Sequence, residues 1–193
     1  MPYTQAQIAD VFRRQAEGCQ RLGSPIHARL IANIADDVVR RGPYWCFLES
    51  WDGDLEMGAL ALRVAGALHY LALKGEASEL AALFPSCGGT PAFDKLLPAA
   101  LATIERFEEK MRPFLARPPQ TNEVGRSAIL LCGFLEAARA TGLPLRPREI
   151  GSSAGLNQCW DLYDYEIAGE KWAQVPSPLT LRPDWRGNAA PLD

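Results

Sequence analysis

Apolar residues recur at every third or fourth position through most of the first 142 residues, the period of an amphipathic helix rather than a strand. Thr4 followed by Gln7 has the form of a capping box, in which each residue satisfies a free backbone donor of the other. Ile8, Val11 and Phe12 follow at helical spacing and predict a helix over 5–18. Ser24-Pro25 reads as a cap followed by a residue whose missing N–H costs nothing at a helix start. Ile26, Leu30, Ile34 and Val38 carry that stripe to about Arg41, and Gly42-Pro43 ends it. An aromatic run, "YWCFLESW" (44–51), comes next and is expected in the core or at a domain contact.

Residues 55–74 give the clearest helical pattern, apolar nearly all round, which predicts a central position. Arg63 and His69 interrupt the stretch 57–73, so a buried helix is expected there and not a membrane span. "GEASELAALF" (75–84) predicts a short helix and "PSCGGTP" (85–91) a loop. Residues 92–116 read as helix, with Pro98 in the first turns and a charged run, "ERFEEK". "ARPPQTN" breaks the chain, and Thr121 or Asn122 is expected to cap "EVGRSAILLCGFLEAARAT" (123–141). Gly142 stands where a left-handed C-terminal stop belongs, with Pro144 just beyond.

The pattern changes at Leu143. "LPLRPREI" (143–150) is the one candidate for a buried strand, although Pro144 and Pro147 fit a sheet edge better than a sheet centre. "YEIAGEKWAQV" (165–175) is expected to hold one or two short strands, and the proline-rich end, 176–193, an extended wrap.

Composition adds exclusions. The chain is 48% hydrophobic and 22% charged, a balance that builds a core without cross-links. Its formal charge of −3, with acidic and basic residues interspersed, leaves no footprint for nucleic acid. Five cysteines (19, 46, 87, 132 and 159) show no ligand spacing, so free and mostly buried thiols are expected, with no metal. "MPYTQAQIAD" lacks the basic and apolar regions of a secretory signal, which makes the cytoplasm the default expectation, away from any membrane.

The chemistry-bearing stretch is "REIGSSAGLNQCWDLYDY" (148–165). Glu149-x-Gly151-x-Ser153-x-Gly155 has the form of a cofactor loop. Glycines let a ligand approach the backbone, a following helix start offers free N–H groups, and an acidic residue receives donors. The same residues satisfy G-x-S-x-G, with Ser153 as a nucleophile. That reading lacks a downstream histidine, since His27 and His69 both lie upstream in apolar helical segments. A tight turn that binds nothing is the third reading.

"QTNEVGRSAILL" (120–131), "EIGSSAGLNQCWDLYDY" (149–165) and "SPLTLRPDWRG" (177–187) together resemble the three ordered boxes of DUF2332, a family of uncharacterised bacterial proteins. "SPIHARLIANIADD" and "ALHYLALKGEASELAALFPSCGG" fit its earlier segments. The resemblance implies an N-terminal helical region and a Rossmann-like, methyltransferase-like region after it, without a demonstrated reaction. The resemblance also implies a longer chain, one that continues well past the third box. A parallel sheet needs several strand–helix–strand units of roughly 30 residues each, and residues 156–193 are too few for them.

The expected fold class is therefore mainly α: a multi-helix bundle over 1–142, then a short, incomplete α/β, Rossmann-like element with an extended tail over 143–193. The expected function is that of a methyltransferase-like protein whose 149–155 turn faces S-adenosylmethionine. Glu149, Gly151, Ser152, Ser153, Gly155 and Asn157 are the expected cofactor contacts. Asn122, Glu123, Arg126 and Asp161 are the expected substrate or anion contacts. Arg126 is a cation in the first turns of a helix, where the helix dipole disfavours it. It either pairs with Glu123 or binds an anion such as the methionyl carboxylate. Asn157 and Asp161, four residues apart, would share a helix face. No residue stands out as a general base. The competing class is a non-enzymatic helical binding or oligomerisation module, in which a second copy covers the flank of the short α/β unit.

Overall fold

In a computed structural model, which describes residues 3–119, 122–186 and 192, the capping box at Thr4 forms. The Gln7 amide donates to Thr4 Oγ1 at 3.3 Å and the Thr4 amide to Gln7 Oε1 at 2.8 Å. The helix they open is α1 (Gln5–Arg21). There follow α2 (Pro25–Val39), with Pro25 at its start, then α3 (Pro43–Leu48), α4 (Leu60–Leu73), α5 (Ser78–Ala81), a 3-10 turn (Pro85–Cys87) and α6 (Leu96–Leu115). Packing divides the chain into two units, Met1–Pro119 and Gln120–Asp193. The helix expected over 123–141 thus groups with the C-terminal segment, whereas composition shifts only at 143.

In the first unit, α4 packs against α1, α2, α5 and α6, which is why it is apolar round most of its circumference. Leu60, Val64, Leu68 and Leu71 are buried against Phe12, Ile31, Ile34, Phe84 and Ile104 in one continuous core. Arg63 interrupts this helix without entering the core uncompensated. Its Nε donates to the Gly58 carbonyl at 2.5 Å and its Nη1 to the Leu115 carbonyl at 2.7 Å, with the guanidinium over the Trp51 ring. The helix starts at Leu60 instead of 55 because Asp54 Oδ1 takes the amides of Glu56 and Met57 into a turn. Ala59, in the left-handed region at φ 52°, then redirects the chain. The "YWCFLESW" run supplies α3, and its Tyr44, Trp45, Phe47 and Leu48 are buried, as core residues were expected to be.

The junction of α2 and α3 is a buried polar device. Asp37, 6% exposed, accepts the Tyr44 amide at 2.9 Å, one of the orphan donors at the start of α3. Tyr44 donates its hydroxyl to the Ala100 carbonyl on α6 at 2.9 Å. Burial, and then the nearby Asp37 charge, hold its phenol well above the ordinary value, so it stays neutral. Gly42 must be glycine here: a Cβ would stand 2.0 Å from Asp37 Oδ1.

In the second unit, α7 (Arg126–Thr141) ends at Gly142, left-handed at φ 65°, as the sequence predicts. The strand expected over 143–150 does not form. The segment has no ladder partner, Leu143 is exposed, and Ile150 is fully so. Pro144 and Pro147 remove two donors that a buried strand would need. Nor does an α-helix follow the Gly/Ser turn. Residues Leu156–Leu162 form a 3-10 segment broken at Cys159. Strands do form in "YEIAGEKWAQV" and its flank: β1 (Asp164–Ile167) and β2 (Glu170–Trp172) make an antiparallel hairpin, Ile167 opposite Glu170. Its turn residues, Ala168 and Gly169, have φ 54° and 85°, the positive values a two-residue hairpin needs. β3 (Thr180–Leu181) adds in parallel to β1, giving the order β2-β1-β3. This mixed sheet contains no strand–helix–strand unit among the described residues. A second core gathers Ala128, Leu131, Trp160, Tyr165 and Ile167, with Trp160 stacked on Trp172 and Phe134 tilted against it.

All five cysteines are free, but only Cys19 is buried; Cys46 is exposed and the other three are half-buried, so mostly buried thiols are not found. No described helix is long and apolar enough to cross a membrane.

Replacing Asp37 by Ala leaves the buried Tyr44 amide without its acceptor and is expected to cost about 1–3 kcal/mol in denaturant unfolding. Asp37→Asn, which keeps an oxygen in place, should recover most of that loss.

Candidate functional site

Long-range hydrogen bonds bring the "TNEVGR" and "REIGSSAGLN" boxes together. Asn122 does not cap α7. Its Oδ1 instead accepts the amide of Leu156, first residue of the 3-10 segment, at 3.1 Å. Thr121 lies outside the described residues. The cap position of α7 is taken by Gly125, whose amide donates to Glu123 Oε1 at 3.2 Å. Glu123 forms no ion pair with Arg126, contrary to the pairing reading.

One turn further, the Ser127 hydroxyl, fully buried, donates to Asn157 Oδ1 at 3.1 Å. Asn157, 5% exposed, donates its Nδ2 to Glu149 Oε1 at 3.2 Å. The second carboxylate oxygen, Glu149 Oε2, is buried with no hydrogen-bond partner. Tyr165 backs the network from β1. Burial holds its phenol well above the ordinary value, the hydrogen bond with Ser127 pulls the other way, and its hydroxyl donates to the Trp160 carbonyl at 2.6 Å.

Beside this network is a cleft of about 570 Å³. Ile129, Leu130 and Phe134 of α7 form an apolar wall; Arg126, Arg148, Glu149 and Asn157 bring polar groups to it. Ile129 is 68% exposed and Leu130 41%, an apolar surface open to solvent. Neither the Arg126 nor the Arg148 guanidinium has a hydrogen-bond or ion-pair partner among the described residues. Elsewhere arginines do find carboxylates: Arg13 with Asp36 at 3.0 Å, Arg14 with Asp10 and Glu56 at 2.5 Å, Arg139 with Glu136 at 2.6 Å.

Of the expected site residues, the structure thus brings Arg126, Glu149 and Asn157 to one cleft, with Asn122 fastening its edge. Gly151, Ser152, Ser153 and Gly155 are not among the residues that line it, and neither are Glu123 and Asp161. The turn carries three positive φ values, at Gly151 (70°), Ser153 (54°) and Gly155 (74°). Asp161 follows the break at Cys159, so the shared helix face with Asn157 is lost. Arg148 and Phe134 are cleft residues that sequence reasoning missed. Arg148 adjoins Glu149 in "REIG", but nothing local shows that it lacks a partner.

The family model described as "Uncharacterized protein conserved in bacteria" matches residues 9–193. The chain belongs to DUF2332. No curated protein and no solved structure matches it with significance. In this DUF2332 chain, the first two boxes meet around Asn157, and the third supplies β3 and the Arg182–Glu166 ion pair at 3.1 Å that ties the strand's flank to β1. Gly187 of that box lies outside the described residues.

Asn157→Leu, close in volume, strands the Ser127 hydroxyl and the Glu149 carboxylate together. It is expected to destabilise the protein by about 2 kcal/mol or more, whereas Gln158→Ala, an exposed neighbour, should stay within about 0.5 kcal/mol in the same denaturation experiment.

Proposed function

We propose that the cleft beside α7 binds a small molecule that carries an anionic group, a hydrogen-bond donor and an apolar body, and that S-adenosylmethionine is the ligand to try first. The observation that carries this reading is the set of unmet partners in one cleft. Two unpaired guanidinium groups stand beside a half-buried carboxylate, whose second oxygen is buried and without a partner, and an exposed apolar wall. A guanidinium makes a charge-assisted, often bidentate bond to a carboxylate. A buried acceptor without a donor is costly, and a ligand ammonium or hydroxyl would satisfy it. The volume falls within the range of small-molecule sites.

S-adenosylmethionine fits this donor set. Its carboxylate would meet Arg126, its ammonium or ribose hydroxyls would meet Glu149, and its purine would lie on Ile129 and Phe134. When bound, it supplies an electrophilic methyl group. The chain's own part is to hold the ligand's charged end and keep water from the Glu149 carboxylate. No described residue is placed as a general base.

The binding-module reading, in which the ligand is held without transfer, draws on a specific observation. The Gly151–Gly155 turn, expected to approach the cofactor, is absent from the cleft lining. The serine-hydrolase reading gains nothing, because the two histidines bond to Ser24 and Ser86.

S-adenosylhomocysteine and S-adenosylmethionine are expected to raise the melting temperature at millimolar concentration, and Arg126→Gln to weaken binding about tenfold or more in calorimetry. No shift with either compound would remove the cofactor reading. Release of S-adenosylhomocysteine from bound S-adenosylmethionine would favour transfer over simple binding.

A further inference from the structure

The first unit holds a second cluster that the cleft does not involve. The only two histidines of the sequence, His27 on α2 and His69 on α4, meet edge to face with ring centroids 5.6 Å apart. Both rings also pack on Phe84, at 5.5 and 4.8 Å, and Phe84 is 1% exposed. Each imidazole is fixed by a hydroxyl: Ser24 Oγ lies 2.9 Å from His27 Nδ1, and Ser86 Oγ lies 2.6 Å from His69 Nε2. Three elements, α2, α4 and the α5–3-10 segment that carries Phe84 and Ser86, are therefore joined through one pair of titratable rings.

We propose that His27 and His69 form an acid-sensitive clasp, which holds residues 78–87 on α2 and α4 while both rings are neutral and loosens that segment when they take up protons. The groups brought to the rings by the packed elements are Ser24, Ser86 and Phe84, none of them charged. Neither imidazole is in an ion pair with a described carboxylate, and a proton on His69 would act against one on His27. A proton on both rings would place two cations side by side in a half-buried site where no described carboxylate pairs with either. Burial lowers the affinity of both rings for a proton, and His69 lowers that of His27 further.

The direction of the pH effect follows. Above about 6.5, the ordinary imidazole value, both rings are neutral in the folded and the unfolded chain, and the clasp is intact. As pH falls below it, the unfolded chain takes up protons first, so the folded state loses stability. The loss is complete once pH passes below the lowered folded values.

Hydrogen exchange on the full chain at pH 7.5 and pH 5.0, corrected for the intrinsic chemical rate, tests this. Protection of amides in 78–90 is expected to fall about tenfold more than in α6. In His69→Gln, which keeps a polar side chain there but cannot become a cation, that extra loss should vanish. An equal change in both segments, or an unchanged extra loss in the variant, overturns the proposal. Should His69→Gln not fold, the wild-type histidine resonances decide by their midpoints. Both below 6.5 supports the clasp, and either at or above 6.5 overturns it.

Discussion

A carboxamide taken out of water must find a donor for its oxygen and an acceptor for its nitrogen, and Asn157 finds them in Ser127 and Glu149. Much of the second unit's functional geometry depends on that requirement. Residues 143–155 join no sheet, so no ladder positions Glu149. The side-chain amide does so instead, with help from Asn122 at the Leu156 amide. The network is nearly closed, and the free oxygen of Glu149 is its open end. A partly satisfied buried network is costly unless something completes it.

The electrostatics around it have the same incomplete character. Arg126 is the first residue of α7, where the helix dipole already places partial positive charge. A cation there is unfavourable without an anion, yet Glu123 turns its carboxylate to the Gly125 amide. An anionic ligand would supply the missing partner and complement the helix end together. The apolar wall beside it would strengthen such a bond by lowering the local dielectric.

The first unit resolves its polar interruptions internally. Arg63 is spent on two carbonyls, Asp37 on the start of α3, and Tyr44 on a carbonyl of α6. These side chains bond main-chain groups of their own unit. The His27–His69 pair differs because both of its members are titratable and stand edge to face, each bonded to a neutral hydroxyl. Polar groups completed within the fold stabilise it, and those left open or titratable are where chemistry can act.

The sequence by itself determined most of the helices, α3 excepted, the stop at Gly142, the presence of short strands in 165–175 and the family. These rest on signals confined to a few residues: the capping box at Thr4, Pro25 at a helix start, φ-tolerant glycines, apolar periodicity. Backbone hydrogen bonds close over three or four residues, so such signals are sufficient for them. "LPLRPREI" shows the limit, since its apolar ends suggested a strand while its prolines withheld the donors. Only the tertiary structure decided that Asn122 serves Leu156, that Asn157 joins Ser127 to Glu149, and that Arg148 shares a cleft with Arg126. The hydrogen-bonded partners lie between 8 and 34 residues apart, and the spacing of residues in a chain does not encode which distant side chain will be left facing which.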